Sequence, residues 1–212
     1  MSLEIRTAVS PDELAELFRL RYKVFVEEKG YYPENPERRI YDPYDFLPGT
    51  RNFIAFDDGT MIGSIRATEA AGPATAVDSY FDFRPHLPLA DVLLPGRKVI
   101  TAGMFFVLSR YRRMGRTALA ILTLLSDYAV SSGKTHIIAA VAPDAEGIAA
   151  HKGFQYVAPP FFHEGKQLWV APMILELSPS LAEAPAQASP RRRAAANKHW
   201  AVYSQVASLT EA

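Results

Sequence analysis

The stretch of residues 99–133 constrains the fold of this chain more than any other part of the sequence. It begins with an apolar run over residues 99–108, which is typical of a buried β-strand. A basic turn containing Gly115 follows, and residues 117–132 form an apolar segment without proline or glycine that predicts a helix ending at Gly133. Such a turn places unpaired backbone N–H groups at the positive end of a helix dipole. The stretch therefore predicts a binding site for a phosphate or pyrophosphate group.

The rest of the chain supplies further strands and helices. Ser10, Pro11 and Glu13 form the signature of a helix start, in which serine and glutamate cap each other's backbone N–H groups. The strand over residues 135–143 should lie parallel to the strand over residues 99–108, because a helix connects them. The other predicted elements are strands over residues 3–9, 53–56, 61–68, 155–157 and 168–177 and helices over residues 11–28, 77–83 and 144–152.

Composition separates a folded domain from a C-terminal extension. Residues 1–177 have the content of one globular domain, residues 178–189 are rich in alanine, proline and serine and predict a linker, and residues 190–212 predict a helical tail that is a candidate for homodimer formation. The 23 basic and 23 acidic residues balance, which disfavours general nucleic-acid binding. The chain has no cysteine, no apolar signal core at its N-terminus and no membrane-spanning run, so we expect a cytoplasmic protein.

Two arginines occupy positions where a charge needs a partner. Arg21 falls on the apolar stripe of the first helix, and Arg66 lies in the middle of a strand, on one face with Ile62, Ser64 and Thr68. Arg21 either extends its charge to solvent at the edge of the stripe or pairs with a carboxylate and lines a site, since an unpaired buried charge is costly. The face that carries Arg66 is either solvated or directed inward.

Residues 30–50 form a long, proline-rich connection that carries two aspartates, Asp42 and Asp45. Ordered connections of this length are often functional. Either aspartate could pair with Arg21, and both could instead bind backbone N–H groups of their own turn. The sequence leaves these alternatives open.

The order of elements and two short motifs resemble the GNAT acyltransferase superfamily. The motifs are Arg112-x-x-Gly115-x-Thr117 in the basic turn and His151-Lys152-Gly153-Phe154 after the last helix. The resemblance extends over about residues 3–177 and implies an α+β fold: a mixed, mostly antiparallel sheet with a parallel central strand pair and helices on both faces. It also implies acyl-CoA or an acyl-phosphopantetheine as the acyl donor, and no metal.

The N-terminal half is similar to a narrower group, the acyl-homoserine-lactone (autoinducer) synthases and the long-chain N-acyl amino acid synthases. The matching residues are Arg21, Phe25, Tyr31 or Tyr32, Asp42, Asp45 and Arg66. The similarity implies that these residues bind the small amine acceptor, and that an acyl carrier protein is a candidate partner. Thr101 and Met104 stand where the autoinducer synthases carry Glu-x-x-Arg, so we expect acylation of an amino-acid-like amine without lactone formation.

An acyltransferase of this kind also needs donor-binding and catalytic residues. The donor would be held by Phe106, Val107, Leu108, Arg112, Arg113, Met114, Gly115, Arg116 and Thr117. An N–H group near Leu108 would stabilise the oxyanion, and Glu69 or Asp45 would act as general base. Residues 118–130 and the Phe105-Phe106 pair are either the wall of an acyl pocket or ordinary core. The alternative functions are an ordinary acetyl-CoA-dependent N-acetyltransferase and a catalytically silent domain that binds an acyl thioester or another protein.

Overall fold

A mixed β-sheet of eight described strands forms the centre of the molecule. A computed structural model describes residues 3–69, 98–112, 115–163 and 168–177 of the 212-residue chain. The strands are β1 (Leu3–Thr7), β2 (Thr50–Asp57), β3 (Thr60–Glu69), β4 (Val99–Val107), β5 (His136–Val141), β6 (Gln155–Tyr156), β7 (Phe161–His163) and β8 (Leu168–Glu176). Their order is β1-β2-β3-β4-β5-β8-β6, with β7 beside β8. Among these strands the β4–β5 pair is parallel and the other pairs are antiparallel, which confirms the predicted mixed sheet.

The helices begin and end close to the predicted positions. They are α1 (Pro11–Tyr22), which continues as a π-helix (Lys23–Glu28), α2 (Arg116–Ser131), α3 (Pro143–Lys152) and two short 3₁₀ helices (Pro43–Phe46 and Ser109–Tyr111). At the start of α1 the Ser10 hydroxyl accepts a hydrogen bond from the Glu13 amide, and the Glu13 carboxylate accepts one from the Ser10 amide. The predicted capping box is therefore present, whereas the π-helix departs from the predicted regular helix.

Two hydrophobic cores cover the two faces of the sheet. The first contains Leu17 and Phe18 of α1 together with Ile54 of β2. The second contains Ile121 of α2 and Ala149 of α3. Helix α1 thus lies on one face and helices α2 and α3 on the other, as predicted.

A β-bulge in β3 changes the face on which one residue lies. The register shifts between Ala55 and Phe56 of β2, so that Ile62 of β3 falls between two paired positions. Ile62 packs in the core beneath α2, whereas Arg66 points toward α1, where it reaches Asp45. The prediction that Ile62 and Arg66 share a face is therefore wrong, because a bulge breaks the two-residue alternation.

A second β-bulge lies in β4, next to the point where β4 and β5 separate. Two residues of β4, Met104 and Phe105, stand against one residue of β3, Ile65, and Met104 has a positive φ of 50°. The parallel pairing with β5 ends at Ala102 and Ala139. Beyond this pair the two strands separate, and a gap opens in the middle of the sheet.

Some predictions concern residues that the structure does not describe: the helix over residues 77–83, Arg113, Met114, the linker over residues 178–189 and the tail over residues 190–212. Strand β7 is an addition to the predicted strands, because its three residues are too few to show a periodic pattern. Within the described ranges, no helix combines the length and the apolar character needed to cross a bilayer. The same ranges hold no cluster of three or more His, Asp or Glu side chains that suits a metal ion.

Candidate active site

An internal cluster of charged side chains connects α1, the long connection and β2. The side chains of Arg21 and Asp45 are fully buried. The Arg21 Nη1 atom donates to both carboxylate oxygens of Asp45 at 2.9 Å, and Nη2 donates to Asn52 Oδ1 at 2.7 Å. Arg21 is therefore a paired arginine, and the alternative in which it extends to solvent is wrong.

Arg66 joins the same cluster from β3. Its side chain is fully buried, and its two terminal nitrogens donate to the Asp42 carboxylate at 2.7 and 2.8 Å, while Nη1 also lies 2.7 Å from Asp45 Oδ2. The alternative of a solvated face around Arg66 is wrong. Asp42 and Asp45 also accept hydrogen bonds from the backbone of their own 3₁₀ turn, so ion pairing and turn capping occur together.

The charges of this cluster satisfy one another inside the protein. Burial acts to raise the pKa of Asp45, but the guanidinium groups of Arg21 and Arg66 outweigh it and hold that pKa below its usual value. A sealed carboxylate with a lowered pKa is a poor general base. The structure thus brings the predicted residues Arg21, Asp42, Asp45 and Arg66 together, but as an interior ion-pair cluster outside the cavity described next.

A cavity of about 110 Å³ lies where β4 and β5 separate. Its walls come from both faces of the sheet: Phe25 and Val170 belong to the core beneath α1, whereas Leu122 and Phe154 belong to the core beneath α2 and α3. The other lining residues of low polarity are Tyr32, Ile65, Ala102, Gly103, Met104, Phe105, Ala139, Ala140, Val141, Ala142, Ala145, Ile148, Ala149 and Leu168. The cavity therefore crosses the sheet between the two strands.

The two segments predicted as a possible acyl-pocket wall, residues 118–130 and the Phe105-Phe106 pair, each contribute some of their side chains to the cavity lining. Phe105 and Leu122 of α2 line it, whereas Phe106 and Leu125 are packed in the two cores. Tyr32 approaches the bulge in β4, where its hydroxyl lies 3.9 Å from Met104 Sδ. Burial raises the pKa of Tyr32 to about 12, so this phenol stays protonated at neutral pH.

Three polar side chains of the cavity lining form a bonded group: Lys29, Tyr31 and Asp144. The Tyr31 hydroxyl donates to Asp144 Oδ1 at 2.9 Å, and the Lys29 ammonium forms an ion pair with Asp144 Oδ2. The side chain of Lys29 is 14% exposed and that of Asp144 44%, so the group lies where the cavity opens to solvent. The sequence predicts Tyr31 as a site residue but not Lys29 or Asp144. Asp144 could have been found, because it follows the carboxyl end of a parallel strand, where ligands often bind.

The basic turn before α2 has the backbone form expected of an anion site. Gly115 is the N-cap residue of α2 and has a positive φ of 66°, and no described side chain caps the first turn. Arg116 is exposed at this end of the helix. Arg112 is already engaged, because its Nε donates to the Val107 carbonyl at 2.6 Å and its guanidinium pairs with Glu28.

Backbone pairing decides which amides of β4 face the gap. The Leu108 amide donates to a carbonyl of β3 at 2.8 Å, so Leu108 and also Phe106, two residues earlier, face β3. Val107 alternates with them and faces the other side, consistent with the Val107 carbonyl accepting a side-chain bond from outside the sheet. The predicted oxyanion donor Leu108 is thus engaged within the sheet, whereas Phe105, in the bulge of β4, lines the cavity.

Glu69, the other residue predicted as a base, lies at the far end of β4 from the cavity. It stands opposite Ile100, near the first residue of that strand. Its carboxylate accepts hydrogen bonds from Lys134 at 2.7 Å and from Tyr128 at 3.0 Å, and the bond from Lys134 holds its pKa below the usual value. The structure therefore places Glu69 in an ion pair outside the cavity lining.

A buried carboxyl group in α3 is a feature that the sequence does not reveal. Glu146 is 2% exposed, and neither of its carboxylate oxygens has a hydrogen-bond partner among the described residues. Burial raises the pKa of Glu146 to about 7. Its neighbours Ala145 and Ala149 line the cavity, so the group lies in the helix that forms one cavity wall.

Comparison with known proteins agrees with this fold. The model of a family described as N-acyl amino acid synthase FeeM matches residues 16–175. The structure of FeeM, from uncultured soil microbes, is similar with a TM-score of 0.67 at 16% identity, over 83% of this chain and 90% of that chain. A CoA-dependent acyl-homoserine lactone synthase, BjaI, gives a TM-score of 0.64 at 20% identity, over 92% and 98% of the two chains. The acyl-homoserine-lactone synthase LasI gives 0.62 at 18% identity, over 84% and 91%. No curated protein matches the chain in sequence.

Proposed function

Because the chain belongs to the FeeM family of N-acyl amino acid synthases, its reaction is acyl transfer to the amine of an amino acid, and we propose that a long acyl chain occupies the cavity between β4 and β5. The observation that supports this proposal is that the cavity crosses the sheet and has mostly apolar walls. Burial of each CH₂ group of an alkyl chain is favourable by about 0.8 kcal/mol. An acetyl group would leave part of this apolar surface uncovered.

The chemistry requires little from the protein beyond alignment and charge stabilisation. The ammonium group of the acceptor first loses one proton to water. The neutral nitrogen then attacks the thioester carbonyl carbon, the C–N bond forms, the C–S bond breaks, and the thiolate leaves as a thiol with a second proton from the nitrogen. Negative charge develops on the carbonyl oxygen in the transition state, and Phe105 is a residue of the β4 bulge that lines the cavity. We assign the oxyanion contact to Phe105 in place of Leu108. One such donor contributes on the order of 10²-fold or more to the rate.

The phosphate of the donor is proposed to bind at the start of α2. The amides of Arg116 and Thr117 belong to the first turn of a 16-residue helix, where backbone N–H groups favour an anion. Coenzyme A and the acyl carrier proteins both carry phosphopantetheine, so the same amides suit either donor. The exposed Arg110 and Arg116 would also attract an acidic carrier protein. Since both donors are cytoplasmic, we place the reaction in the cytoplasm.

The test of this proposal is a screen for thiol release and amide formation. The purified chain is incubated with acetyl-, octanoyl-, dodecanoyl- and hexadecanoyl-CoA, and with the same acyl groups on an acyl carrier protein. Each donor is offered with the twenty amino acids, and products are read by mass spectrometry. Long-chain N-acyl amino acids are the expected products.

Two results would overturn the proposal. Turnover with acetyl-CoA alone would identify an ordinary N-acetyltransferase. Donor binding in a thermal-shift assay without thiol release from any donor would identify a silent binding domain. The variant Arg110→Glu tests, in the same assay, whether the natural donor is an acyl carrier protein or acyl-CoA. If it is the carrier protein, the variant should raise KM for the carrier-bound donor more than KM for acyl-CoA.

A further inference from the structure

We propose that Lys29, Tyr31 and Asp144 form the acceptor site, where Lys29 binds the α-carboxylate and Asp144 the α-ammonium group of the incoming amino acid. The inference rests on the proposed function and adds the side chains that would select an amino acid over a simple amine. It moves acceptor recognition from the buried arginines to the cavity opening.

The position of this group supports the assignment. Lys29 and Asp144 are the charged side chains among the described residues that line the cavity. They come from separate elements, the end of the π-helix and the first turn of α3. Both remain partly open to solvent, whereas the side chains of Arg21 and Arg66 are completely enclosed and already bonded to carboxylates. An acceptor that arrives from solvent therefore meets Lys29 and Asp144 before it meets the thioester.

The charges of the group match a zwitterion. Without ligand, the Lys29 ammonium and the Asp144 carboxylate pair with each other, and the Tyr31 hydroxyl donates to the second carboxylate oxygen at 2.9 Å. An amino acid inserted between them would replace one ion pair by two, with its carboxylate on Lys29 and its ammonium on Asp144. Tyr31 would hold the Asp144 carboxylate in place during this exchange. A donor phosphate suits the group poorly, because Asp144 would repel it.

The experiment compares each amino acid with the amine made by removing its carboxylate. The pairs are L-leucine with 3-methylbutylamine, L-phenylalanine with 2-phenylethylamine, and the best acceptor of the screen with its own decarboxylated amine. Lys29→Gln should lower kcat/KM for the amino acids about 10- to 100-fold, the size of one lost charge-assisted hydrogen bond. It should leave kcat/KM for the amines and KM for the donor nearly unchanged.

Three further variants sharpen the test. Lys29→Arg keeps the charge and should retain the preference for the carboxylate. Asp144→Asn should weaken amino acid and amine alike, because it removes the partner of the ammonium group that both share. Lys23→Gln is the matched control, since Lys23 is an exposed lysine of the same π-helix that does not line the cavity.

The outcomes separate the two proposals. No acylation of any amino acid by the wild-type chain would overturn the proposed function itself. Acylation with an unchanged preference for the carboxylate in Lys29→Gln would overturn only the acceptor site. A rise of KM for the donor without a change for the acceptor would assign Lys29 to the donor and would also overturn it. The Lys29–Asp144 pair is partly exposed, and each replacement keeps a polar side chain of similar size, so these variants should fold, and thermal melting checks this.

Discussion

Asp45 joins two guanidinium groups that have no contact with solvent. Its carboxylate binds Arg21 and Arg66, and all three side chains are fully buried. Replacing Asp45 with asparagine would leave two enclosed cations beside a neutral amide. We expect the free energy of unfolding, measured by urea denaturation, to fall by about 3–5 kcal/mol.

Asp42→Asn is the matched control for this prediction. Asp42 is hydrogen-bonded to Arg66 and not to Arg21, and its side chain is 28% exposed, so water can compensate for part of the lost interaction. The loss should be clearly smaller than for Asp45→Asn. Equal losses would show that the cluster does not depend on the carboxylate shared by the two arginines.

Glu146 should make the protein less stable as the pH rises. Its pKa is about 7 in the folded chain, above the usual value, so between about pH 4.5 and 7 the folded state keeps a proton that the unfolded state has released. The contribution of Glu146 to stability therefore falls through this range and levels off above it. Glu146→Gln should remove the decline and stabilise the protein by roughly 2–3 kcal/mol near pH 8, with little effect near pH 4.

Thermal melting at the two pH values measures this effect. The exposed Glu176→Gln is the control and should change stability by less than about 0.5 kcal/mol at both. A stability difference between the wild type and Glu146→Gln that is the same near pH 4 and near pH 8 would show that Glu146 is ionised at no cost in the folded state.

The sequence could predict that Arg21 needs a partner but not the arrangement that results. The requirement follows from its place on an apolar helix face, which is local information. Its pairing with Asp45, and that of Arg66 with Asp42, depends on the path of the connection between α1 and β2. Lys29 and Asp144 are far apart in the chain, and only the closed fold brings them together. Glu146 looks like an ordinary surface residue of a short helix until that helix is packed.

At the scale of elements, the start of α2 offers a controlled test of the donor site. Gly115→Ala and Gly115→Glu both place a Cβ atom at a φ of 66°, 3.3 Å from Ile148 Cδ1. They share a strain of about 1–2 kcal/mol. The glutamate variant alone adds negative charge where the phosphate is proposed to bind. KM for acyl-CoA should therefore be about tenfold or more higher in the glutamate variant than in the alanine variant.

The two variants are compared by initial rates at several donor concentrations, with melting curves to show that both are folded. Similar KM values in the two variants would show that the donor phosphate does not bind at this turn. A rise that disappears in concentrated salt would still support the site, since screening weakens the repulsion between like charges.

Element boundaries follow from local signals, whereas the bulges do not. Ser10, Gly133 and Gly153 mark helix ends in the sequence, and the structure has helix ends beside each of them. A bulge exists only in the pairing of two strands, so Ile62 and Met104 carry no recognisable signal by themselves. For this reason the sequence predicts the parallel β4–β5 pair but not the point at which the two strands separate.

At the scale of the whole molecule, the cavity joins the two cores and should set the length of the acyl chain. Leu122 of α2 lines the cavity on one side of the sheet. Leu122→Ala removes three carbon atoms and should shift the preferred donor toward chains longer by about two or three carbons. The measurement is the product yield from acyl-CoA donors of increasing length.

Leu125→Ala is the control, because Leu125 is fully buried in the same helix but does not line the cavity. Both variants should lose about 2–5 kcal/mol of stability, and only Leu122→Ala should change the chain-length preference. An identical preference in both variants would show that the acyl chain does not reach α2.

The π-helix Lys23–Glu28 has a consequence for how such proteins diverge. It separates Arg21, which is fixed to β2, from Lys29 at the cavity opening. A π turn closes over five residues where an α turn closes over four. Six residues of a π-helix turn through about the same total angle as five residues of an α-helix, so deleting a single codon here would restore a continuous α-helix and leave each later side chain on its present face. A length change of one residue in this segment would thus keep Lys29 at the cavity opening, with no substitution in the sheet or the arginine cluster.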